Sequence, residues 1–408
     1  MNEQQLLYNM ALTRIGHFSL ATALHLYRTL GSGEEIFLHR NEIADIIPDC
    51  SPRLLENIKD WSEPLKRAEQ ELDFCLNNDI KVLCLGDGYY PQRLEDCPDA
   101  PIVMYYKGSA LLNQARVINI VGTRHCTPYG EDFIRKFLLE LKAMCPEVLV
   151  VSGLAYGVDI NAHVQALNNG YETVGVLAHG LDYLYPQAHK EVARKMVNCG
   201  GLLTEFMTCT NADKGNFVRR NRIVAGMSDA CILVESASHG GGLITAGIAN
   251  DYNRDVFAVP GRIGDHFSVG CNNIIRDNKA ILLTSAEDFV KAMGWENDAM
   301  RIEAQRNGIE RELFPDLSPE QKKIYDILNA TNDLSLNILS VKSAIPIGNL
   351  SAIMFQMEMM GVVKPYAGGT YHLLKGKMAA QTERRAELAR AMLRCSQPST
   401  KSMKNEEL

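Results

Sequence analysis

The interpretation of this chain depends on two stretches, Lys214-Gly-Asn-Phe-Val-Arg-Arg-Asn-Arg222 and Ser238-His-Gly-Gly-Gly-Leu-Ile-Thr245. The first has four cations and one aromatic ring, with no acid between them. The second places three glycines after the apolar run 230–234 and before an apolar segment with helical spacing. A glycine turn at a helix start presents free backbone N–H groups and the positive end of the helix dipole to an anionic oxygen. Cations beside a ring suit a phosphate chain whose bases stack. Alternatively, the stretches form a solvated helix face beside a tight turn.

Composition limits the class of protein. The chain has 408 residues, of which 22% are charged and 46% hydrophobic, which predicts a soluble globular protein of two to four domains. No apolar run approaches the roughly 18 residues that would span a bilayer, and the N-terminus does not resemble a signal peptide. The 11 cysteines show no C-x-x-C spacing, which indicates reduced thiols in the cytoplasm and no structural metal. Because the net charge is -7, attraction to a polyanion requires positive charge concentrated at 214–222.

The pattern of apolar residues divides the chain. Residues 1–78 read as helical, with apolar spacing at Leu6–Met10, Leu20–Leu30 and Leu54–Phe74, and Arg14–His17 resembles the hairpin of a helix-hairpin-helix unit. Residues 79–292 alternate short apolar runs with helical segments, which predicts βαβ units and a mainly parallel sheet. The predicted strands are 82–85, 102–105, 117–121, 148–151, 174–176, 201–204, 231–234, 256–259 and 280–283.

The remainder of the chain is predicted to be a separate domain with its linker and tail. Residues 293–312 are polar and charged, as in a linker. Residues 313–374 contain three helical segments and a hairpin turning at Gly368-Gly369, which predicts a winged helix. Residues 375–408 form a basic tail that is predicted to be partly disordered. The segment 350–360 has no Lys or Arg, so we expect that it does not read duplex DNA; its Met-rich face favours a core position over a partner groove.

Residues suited to anions follow several predicted strands. In an open parallel sheet, ligands bind beyond the carboxyl ends of the strands. Gly122, Thr123 and Arg124 follow 117–121, Ser152 and Gly153 follow 148–151, and the triple glycine follows 231–234. Their convergence predicts a ligand rich in phosphate.

Several known catalytic and nucleotide motifs are absent from the sequence. There is no G-x-x-x-x-G-K-[ST], no helix-opening G-x-G-x-x-G and no G-x-S-x-G. Five residues could form a catalytic set, namely Asp159, His163, Asp182, His189 and Glu205. The alternative, in which Asp159 caps a helix and His163 packs on the sheet, is favoured because no nucleophile or metal partner is evident. The sequence therefore predicts no catalytic residue, cofactor or metal.

Ordered motifs across 80–290 resemble those of the DNA-processing protein A (DprA/Smf) family. They include Val121-Gly-Thr-Arg124, Ser152-Gly-Leu-Ala155, Gly242-Leu-Ile-Thr-Ala246 and Val256-Phe-Ala-Val-Pro-Gly261. The resemblance implies a Rossmann-like α/β domain, flanked here by the helical and winged-helix domains, that binds single-stranded DNA as a homodimer and is not an enzyme. It also implies protection of incoming DNA and loading of the RecA recombinase in natural transformation.

The resemblance also assigns roles to residues. Arg124 corresponds to the family's phosphate-gripping arginine, Phe217 and Asn221 to its base pocket, and Gly241, Gly242 and Thr245 to its phosphate loop. Thr123, Val218 and the run 240–242 depart from the commoner family residues. Of the two central arginines, Arg220 is preferred over Arg219 as the one that faces the ligand. The full predicted contact set is Gly122, Thr123, Arg124, Ser152, Gly153, Lys214, Phe217, Arg220, Asn221, Arg222, Gly241, Gly242 and Thr245.

Two other functions are consistent with parts of the sequence. The loop at 240–245, with Glu235 nearby, has some likeness to that of enzymes that release a base from nucleoside monophosphates. A basic, aromatic stretch favours a polymer over such a monomer. The terminal domains would also suit a scaffold protein.

Overall fold

The protein is described here from a computed structural model. The structure describes residues 2–16, 19–47, 51–295, 318–331, 334–359, 362–366 and 370–373. The chain divides into two compact units, Met1–Ile302 and Glu303–Leu408.

The first unit begins with a group of helices. Their bounds are α1 (Glu3–Leu12), α2 (Leu20–Leu30), α3 (Gly33–Leu38), α4 (Ile43–Ile46), α5 (Pro52–Asn57) and α6 (Ser62–Asn77). The predicted helix over Leu54–Phe74 is therefore wrong in its continuity. It breaks before α6, where the buried Trp61 donates its indole N–H to the Ile58 carbonyl at 2.7 Å. His17, part of the predicted hairpin, lies outside the described residues, so the helix-hairpin-helix assignment stays a prediction.

These helices pack on the sheet that follows them. The Tyr27 hydroxyl donates to the Leu85 carbonyl at 3.3 Å. The carboxylate of Glu71 accepts the Thr208 N–H at 3.0 Å, and Arg67 donates to the Thr208 carbonyl at 2.9 Å. One apolar core runs from α1 to the sheet. Contacts thus join residues 1–78 to the sheet in one compact unit, although the sequence pattern changes near residue 79.

A nine-stranded sheet forms the centre of the first unit. Its strands are β1 (Lys81–Cys84), β2 (Val103–Gly108), β3 (Val117–Val121), β4 (Leu149–Ser152), β5 (Thr173–Val176), β6 (Gly200–Thr204), β7 (Ala230–Leu233), β8 (Asp255–Ala258) and β9 (Ile281–Leu282). Each overlaps a predicted strand. The order is β1-β2-β6-β5-β4-β3-β7-β8-β9, and all pairs from β6 to β9 are parallel. Only the edge pairs of β1 with β2 and β2 with β6 are antiparallel in the described chain. The expected mainly parallel, Rossmann-like α/β fold is confirmed.

Helices cover both faces of this sheet. They are α7 (Gln92–Glu95), α8 (Pro128–Met144), α9 (Val158–Asn168), α10 (Lys190–Asn198), α11 (Lys214–Gly226), α12 (Gly241–Asp251), α13 (Val269–Arg276) and α14 (Ala286–Ala292). Alternate residues of a strand point to opposite faces. Val117 and Val121 accordingly enter one core, and Ile118 and Ile120 enter another. Burial on both faces explains why β3 is a continuous apolar run.

The chain order reverses between β3 and β7. From β3 the chain proceeds through α8 to β4 on one side, whereas from β7 it proceeds through α12 to β8 on the other. The two loops that leave these neighbouring strands diverge, and a crevice forms between them at the carboxyl ends of the strands. The topology therefore places a binding crevice beside 122–127 and 235–240.

The second unit contains α15 (Pro319–Ala330), β10 (Leu334–Ser335), α16 (Leu336–Ser343), α17 (Ile347–Met359), β11 (Val363–Tyr366) and β12 (Thr370–Leu373). The strands form an antiparallel sheet in the order β10-β12-β11. Met354 and Met357 are buried in its core, as expected for the Met-rich face. The winged-helix assignment stays a prediction. Its turn at 368–369, most of the linker 293–312 and the tail 375–408 lie outside the described residues.

Within the described ranges, no single helix has the length and apolarity needed to cross a membrane. The helices Leu336–Ser343 and Ile347–Glu358 have that length and apolarity only as a pair, and the chain bends by 109° at the break between them.

Candidate functional site

A cleft of about 690 Å³ lies at the crevice between β3 and β7. Loops after β3, β4 and β7 border it, together with the first turns of α11 and α12. It gathers eleven of the thirteen predicted contact residues, namely Gly122, Thr123, Arg124, Gly153, Lys214, Phe217, Arg220, Asn221, Gly241, Gly242 and Thr245. Residues separated by up to 123 positions in the chain, from Gly122 to Thr245, thus meet at one edge of the sheet.

The N-terminus of α12 opens into this cleft. Gly240 is the N-cap residue, and no side chain of the described chain caps this turn. The first N–H groups of the helix are therefore available to a ligand, at the positive end of the helix dipole. A Cβ at Gly242 would lie 2.7 Å from Leu233 Cδ1 and 3.0 Å from the Gly122 Cα. The two turns pack this closely because both carry glycine, and both line the cleft.

Arg124 supplies an exposed cation beside that turn. Its guanidinium lies over the Phe217 ring, 5.1 Å from the centroid. Across the part of the chain that the structure describes, no protein acceptor binds this guanidinium by a hydrogen bond or ion pair. A free guanidinium presents a planar fork of donors that matches the oxygens of a phosphate.

Arg220 forms part of the floor of the cleft. It is 3% exposed, and it donates to the carbonyl of Gly153 at 2.5 Å and to that of Val176. A Cβ at Gly153 would lie 2.3 Å from Arg220 Nη1, so glycine is required for this approach. Burial lowers the pKa of Arg220 to about 10, while the nearby Asp159 opposes that shift. Arg220 therefore keeps its charge at neutral pH.

Phe217 places an aromatic ring near two guanidinium groups. The Cζ atoms of Arg124 and Arg220 lie 5.1 and 5.9 Å from the ring centroid. Cations at this range are attracted to the ring's quadrupole, which holds the ring in position. The ring is half-buried and lines the cleft. It is placed where a base could stack beside two positive charges.

Helical periodicity explains which residues of α11 reach the cleft. Lys214, Phe217, Asn221 and Val224 are spaced by three or four residues and line the cleft together. Arg222 is about 200° around the helix from Arg220 and points elsewhere. It is 5% exposed and binds Glu205 at 2.6 Å.

Two predicted contacts therefore need correction. The Arg222 guanidinium also donates to the carbonyl of Asp99 at 2.5 Å, so it serves as a structural ion-pair partner away from the cleft. Ser152 is fully buried, and its hydroxyl donates to the Ile120 carbonyl at 2.6 Å, which leaves it no exposure to a ligand. Arg219 pairs with Glu205 at 2.7 Å outside the cleft, on the solvent side.

The residues weighed as a catalytic set have structural partners. Asp159 lies in the first turn of α9 and accepts the Ala155 N–H at 3.3 Å, but Gly157 is the N-cap residue, so the expected capping role is corrected. His163 is fully buried with Nδ1 2.7 Å from the Thr173 hydroxyl, and burial lowers its pKa to about 3. Among the described residues, no group of three or more His, Cys, Asp or Glu is arranged to hold a metal.

Glu235, the acid near the glycine loop, is held outside the cleft. It is 3% exposed, and its carboxylate accepts the Thr127 N–H at 2.8 Å and the Thr127 hydroxyl at 2.5 Å. These bonds attach Glu235 to the start of α8. A carboxylate occupied in this way is poorly placed to act on a monomer bound at 240–245.

The cleft also contains residues that the sequence analysis missed. His125, His239 and Phe267 line it, and the rings of His125 and Phe267 are stacked with centroids 6.1 Å apart. Phe267 lies in the loop after β8. The rule that ligands sit beyond the carboxyl ends of strands could have found this loop, whose sequence has neither a basic run nor a triple glycine.

Comparisons with known proteins match this region of the chain. Residues 81–294 match the family model described as DNA recombination-mediator protein A. The chain is 38% identical over 204 residues to DNA processing protein DprA of Streptococcus pneumoniae, which covers 50% of this chain and 71% of that protein. It is 30% identical over 319 residues to Protein Smf of Synechocystis, which covers 71% of this chain and 79% of that protein.

A solved structure agrees with the sequence matches. The X-ray structure of DNA processing protein A from Streptococcus pneumoniae superposes with a TM-score of 0.61 at 31% identity, covering 70% of this chain and 97% of that one. All the residues that line the cleft fall within the matched span 81–294.

Proposed function

The chain belongs to the DNA recombination-mediator protein A family, and from this we propose that its cleft binds single-stranded DNA in DNA processing. The observation that carries the proposal is one cleft that holds the free Arg124 guanidinium, the Phe217 ring and the uncapped turn of α12. The guanidinium and the N–H groups suit successive phosphates, and the ring suits a base.

The geometry favours a single strand over a duplex. A protein reads duplex DNA by inserting a helix or a two-stranded ribbon into a groove. Here the cations and the ring instead line a concavity, which a strand with unpaired bases can enter. Stacking on Phe217 requires a free base face, which base pairing and stacking conceal in a duplex.

The charges of the cleft have a local excess of cations. Arg124, Lys214 and Arg220 line it together with two carboxylates, Asp159 and Asp213. Asp213 caps α11 through the Asn216 N–H at 2.8 Å, and Asp159 is buried beside Arg220. Arg124 and Lys214 are exposed and remain available to a polyanion, while the buried Arg220 adds positive charge to the cleft floor, although the chain as a whole carries a charge of -7.

We extend the proposal to the biological role that the resemblance implies. The protein would act in the cytoplasm as a homodimer, protect incoming single strands and load the RecA recombinase onto them in natural transformation. The family description as a recombination mediator supports this role. Enzymatic release of a base from nucleoside monophosphates is less favoured, because Glu235 is bound to Thr127 outside the cleft.

Binding of a fluorescent oligothymidylate, measured by anisotropy, tests the site. We expect Phe217→Ala to lose about 1–3 kcal/mol of binding free energy, as for a stacked base. Arg124→Ala should lose about 1.5–3 kcal/mol, as for a hydrogen bond to a charged group. Arg219→Ala is the matched control, since it removes a cation from the same helix outside the cleft.

Two further measurements complete the test. The melting temperatures of the Phe217 and Arg124 variants should stay close to that of the unaltered protein, and a duplex of the same length should compete weakly. Unchanged affinity for the oligothymidylate in both variants would refute the proposal that the cleft binds single-stranded DNA. Release of free base from nucleoside monophosphates, followed by chromatography, would instead support the enzyme.

A further inference from the structure

A second aromatic surface adjoins the cleft at Phe217. It shares Arg124, Gly153, Ala155 and Phe217 with the cleft and adds two tyrosines, Tyr156 and Tyr185. We call the surface formed by Tyr156 and Tyr185 the tyrosine shelf. The shelf begins where the cleft ends, because Arg124 and Phe217 face both.

Both tyrosine side chains are about half exposed to solvent. Tyr156 is 47% exposed and Tyr185 is 46% exposed. Within the part of the chain that the structure describes, neither hydroxyl has a hydrogen-bond partner. The Tyr185 ring lies 6.1 Å from the Phe217 ring, centroid to centroid, at 57°. Three rings thus border one surface, and Phe217 is the ring that this surface shares with the cleft.

The shelf rests on a rigid base. Tyr156 packs edge to face on His189 at 4.8 Å, and His189 is buried with its Nδ1 2.9 Å from the Leu154 carbonyl. The backbone N–H of Tyr185 donates to Nε2 of the buried His179 at 3.2 Å. Buried side chains thus support the Tyr156 ring and the Tyr185 backbone before any ligand arrives, which reduces the entropy lost on binding.

The charge of the shelf suits a phosphate chain. Among the residues of the described chain that line it, Arg124 is the one that carries a full charge. A surface with rings, one cation and no lining carboxylate matches what single-stranded nucleic acid requires, namely stacking faces beside a positive charge. An apolar protein partner would gain nothing from Arg124.

We propose that the tyrosine shelf is a second base-binding platform, over which a single strand continues after it leaves Phe217. The inference rests on the proposed function of the cleft and adds a direction to it. Bases stack on Tyr185 and Tyr156 while Arg124 holds the phosphate between the two platforms. The protein therefore binds a longer strand than the cleft alone would hold.

Affinity as a function of strand length tests the shelf. Oligothymidylates of about 4 to about 16 nucleotides cover the usual range of single-strand sites. In the unaltered protein, affinity should rise with length beyond what fills the cleft. In a Tyr156→Ala/Tyr185→Ala variant, the longest strand should bind about 30-fold more weakly, the equivalent of two stacked bases at the lower end of their usual contribution. The shortest strand should bind as it does to the unaltered protein.

Matched variants separate stacking from other effects. The Tyr156→Phe/Tyr185→Phe variant keeps both rings and should restore the length dependence. Tyr89→Ala removes a tyrosine that is 66% exposed elsewhere and should change nothing. Long strands carrying 5-iododeoxyuridine should photocross-link to Tyr156 or Tyr185, as mapped by mass spectrometry.

Three results would overturn the inference. Equal losses for short and long strands in the double alanine variant would show that the tyrosines act only through Phe217. An unchanged length dependence in the double alanine variant would show that the strand does not pass over the two tyrosines. If Phe267→Ala abolished the length dependence instead, the strand would continue past Phe267. If the unaltered protein bound no strand of any length, the proposed function would fail together with the shelf.

Discussion

Substituting Gly241 by alanine should separate ligand binding from stability. Gly241 is the first residue of α12, it is exposed, and a Cβ there would meet no atom within 4 Å. The backbone accepts alanine without strain, so the free energy of unfolding should rise by about 0.4–1 kcal/mol because the unfolded chain loses freedom.

The same methyl group should weaken binding. It would stand in the cleft beside the uncapped N–H groups of α12, where a phosphate oxygen must approach to about 2.9 Å. Losing one hydrogen bond to a charged group costs about 1.5–3 kcal/mol, which corresponds to roughly 10- to 100-fold weaker binding. Urea denaturation measures the first quantity and anisotropy with an oligothymidylate the second.

Two other glycines of α12 serve as controls. Gly247 is exposed, and a Cβ there also meets nothing within 4 Å, but it lies outside the cleft, so Gly247→Ala should stabilise the fold and leave affinity unchanged. Gly242→Ala would place its methyl 2.7 Å from the buried Leu233 and should cost about 1–3 kcal/mol of stability through overpacking. If Gly241→Ala and Gly247→Ala bound DNA equally well, the N-terminus of α12 would not be a phosphate site.

Three further predictions follow from particular residues. Arg222→Ala should lower the free energy of unfolding by about 3 kcal/mol, because it removes a partner of the buried Glu205 carboxylate; weaker DNA binding with unchanged urea stability would contradict this. His163 has a pKa lowered by burial from 6.5 to about 3, so the unfolded chain binds its proton first and stability falls as the pH drops from 6.5 towards 3, by about 2 kcal/mol at pH 5. His163→Gln should flatten the dependence of melting temperature on pH in that window, and an identical slope would count against it. Lys214→Ala should make the plot of log affinity against log salt shallower by about 0.7, and an unchanged slope would mean that Lys214 touches no phosphate.

Local sequence patterns located most of the fold. Each of the nine strands overlaps an apolar run of the sequence. For the fully buried strands β3 to β7 the reason is that a strand covered on both faces must be apolar along its length. The sequence also predicts the loops after β3 and β7, because the glycines that allow the close approach of Gly122 and Gly242 are visible in it. The break near Trp61 was missed because local spacing over Leu54–Phe74 is helical, and burial of the Trp61 ring interrupts the helix.

The sequence by itself determined the kind of site that is expected. The affinity of cations and a glycine turn for phosphate, and of an aromatic ring for a base, is a property of the residue types and does not depend on how the elements pack. The tertiary structure decided which members of that set reach the ligand. Arg220 and Arg222 are two positions apart, yet one forms the cleft floor and the other pairs with Glu205. Tyr185, in the loop after β5, approaches Phe217 on α11 through a contact between elements distant in the chain, which no local period encodes. Side-chain direction at such places depends on how whole elements pack, and that is a property of the folded molecule.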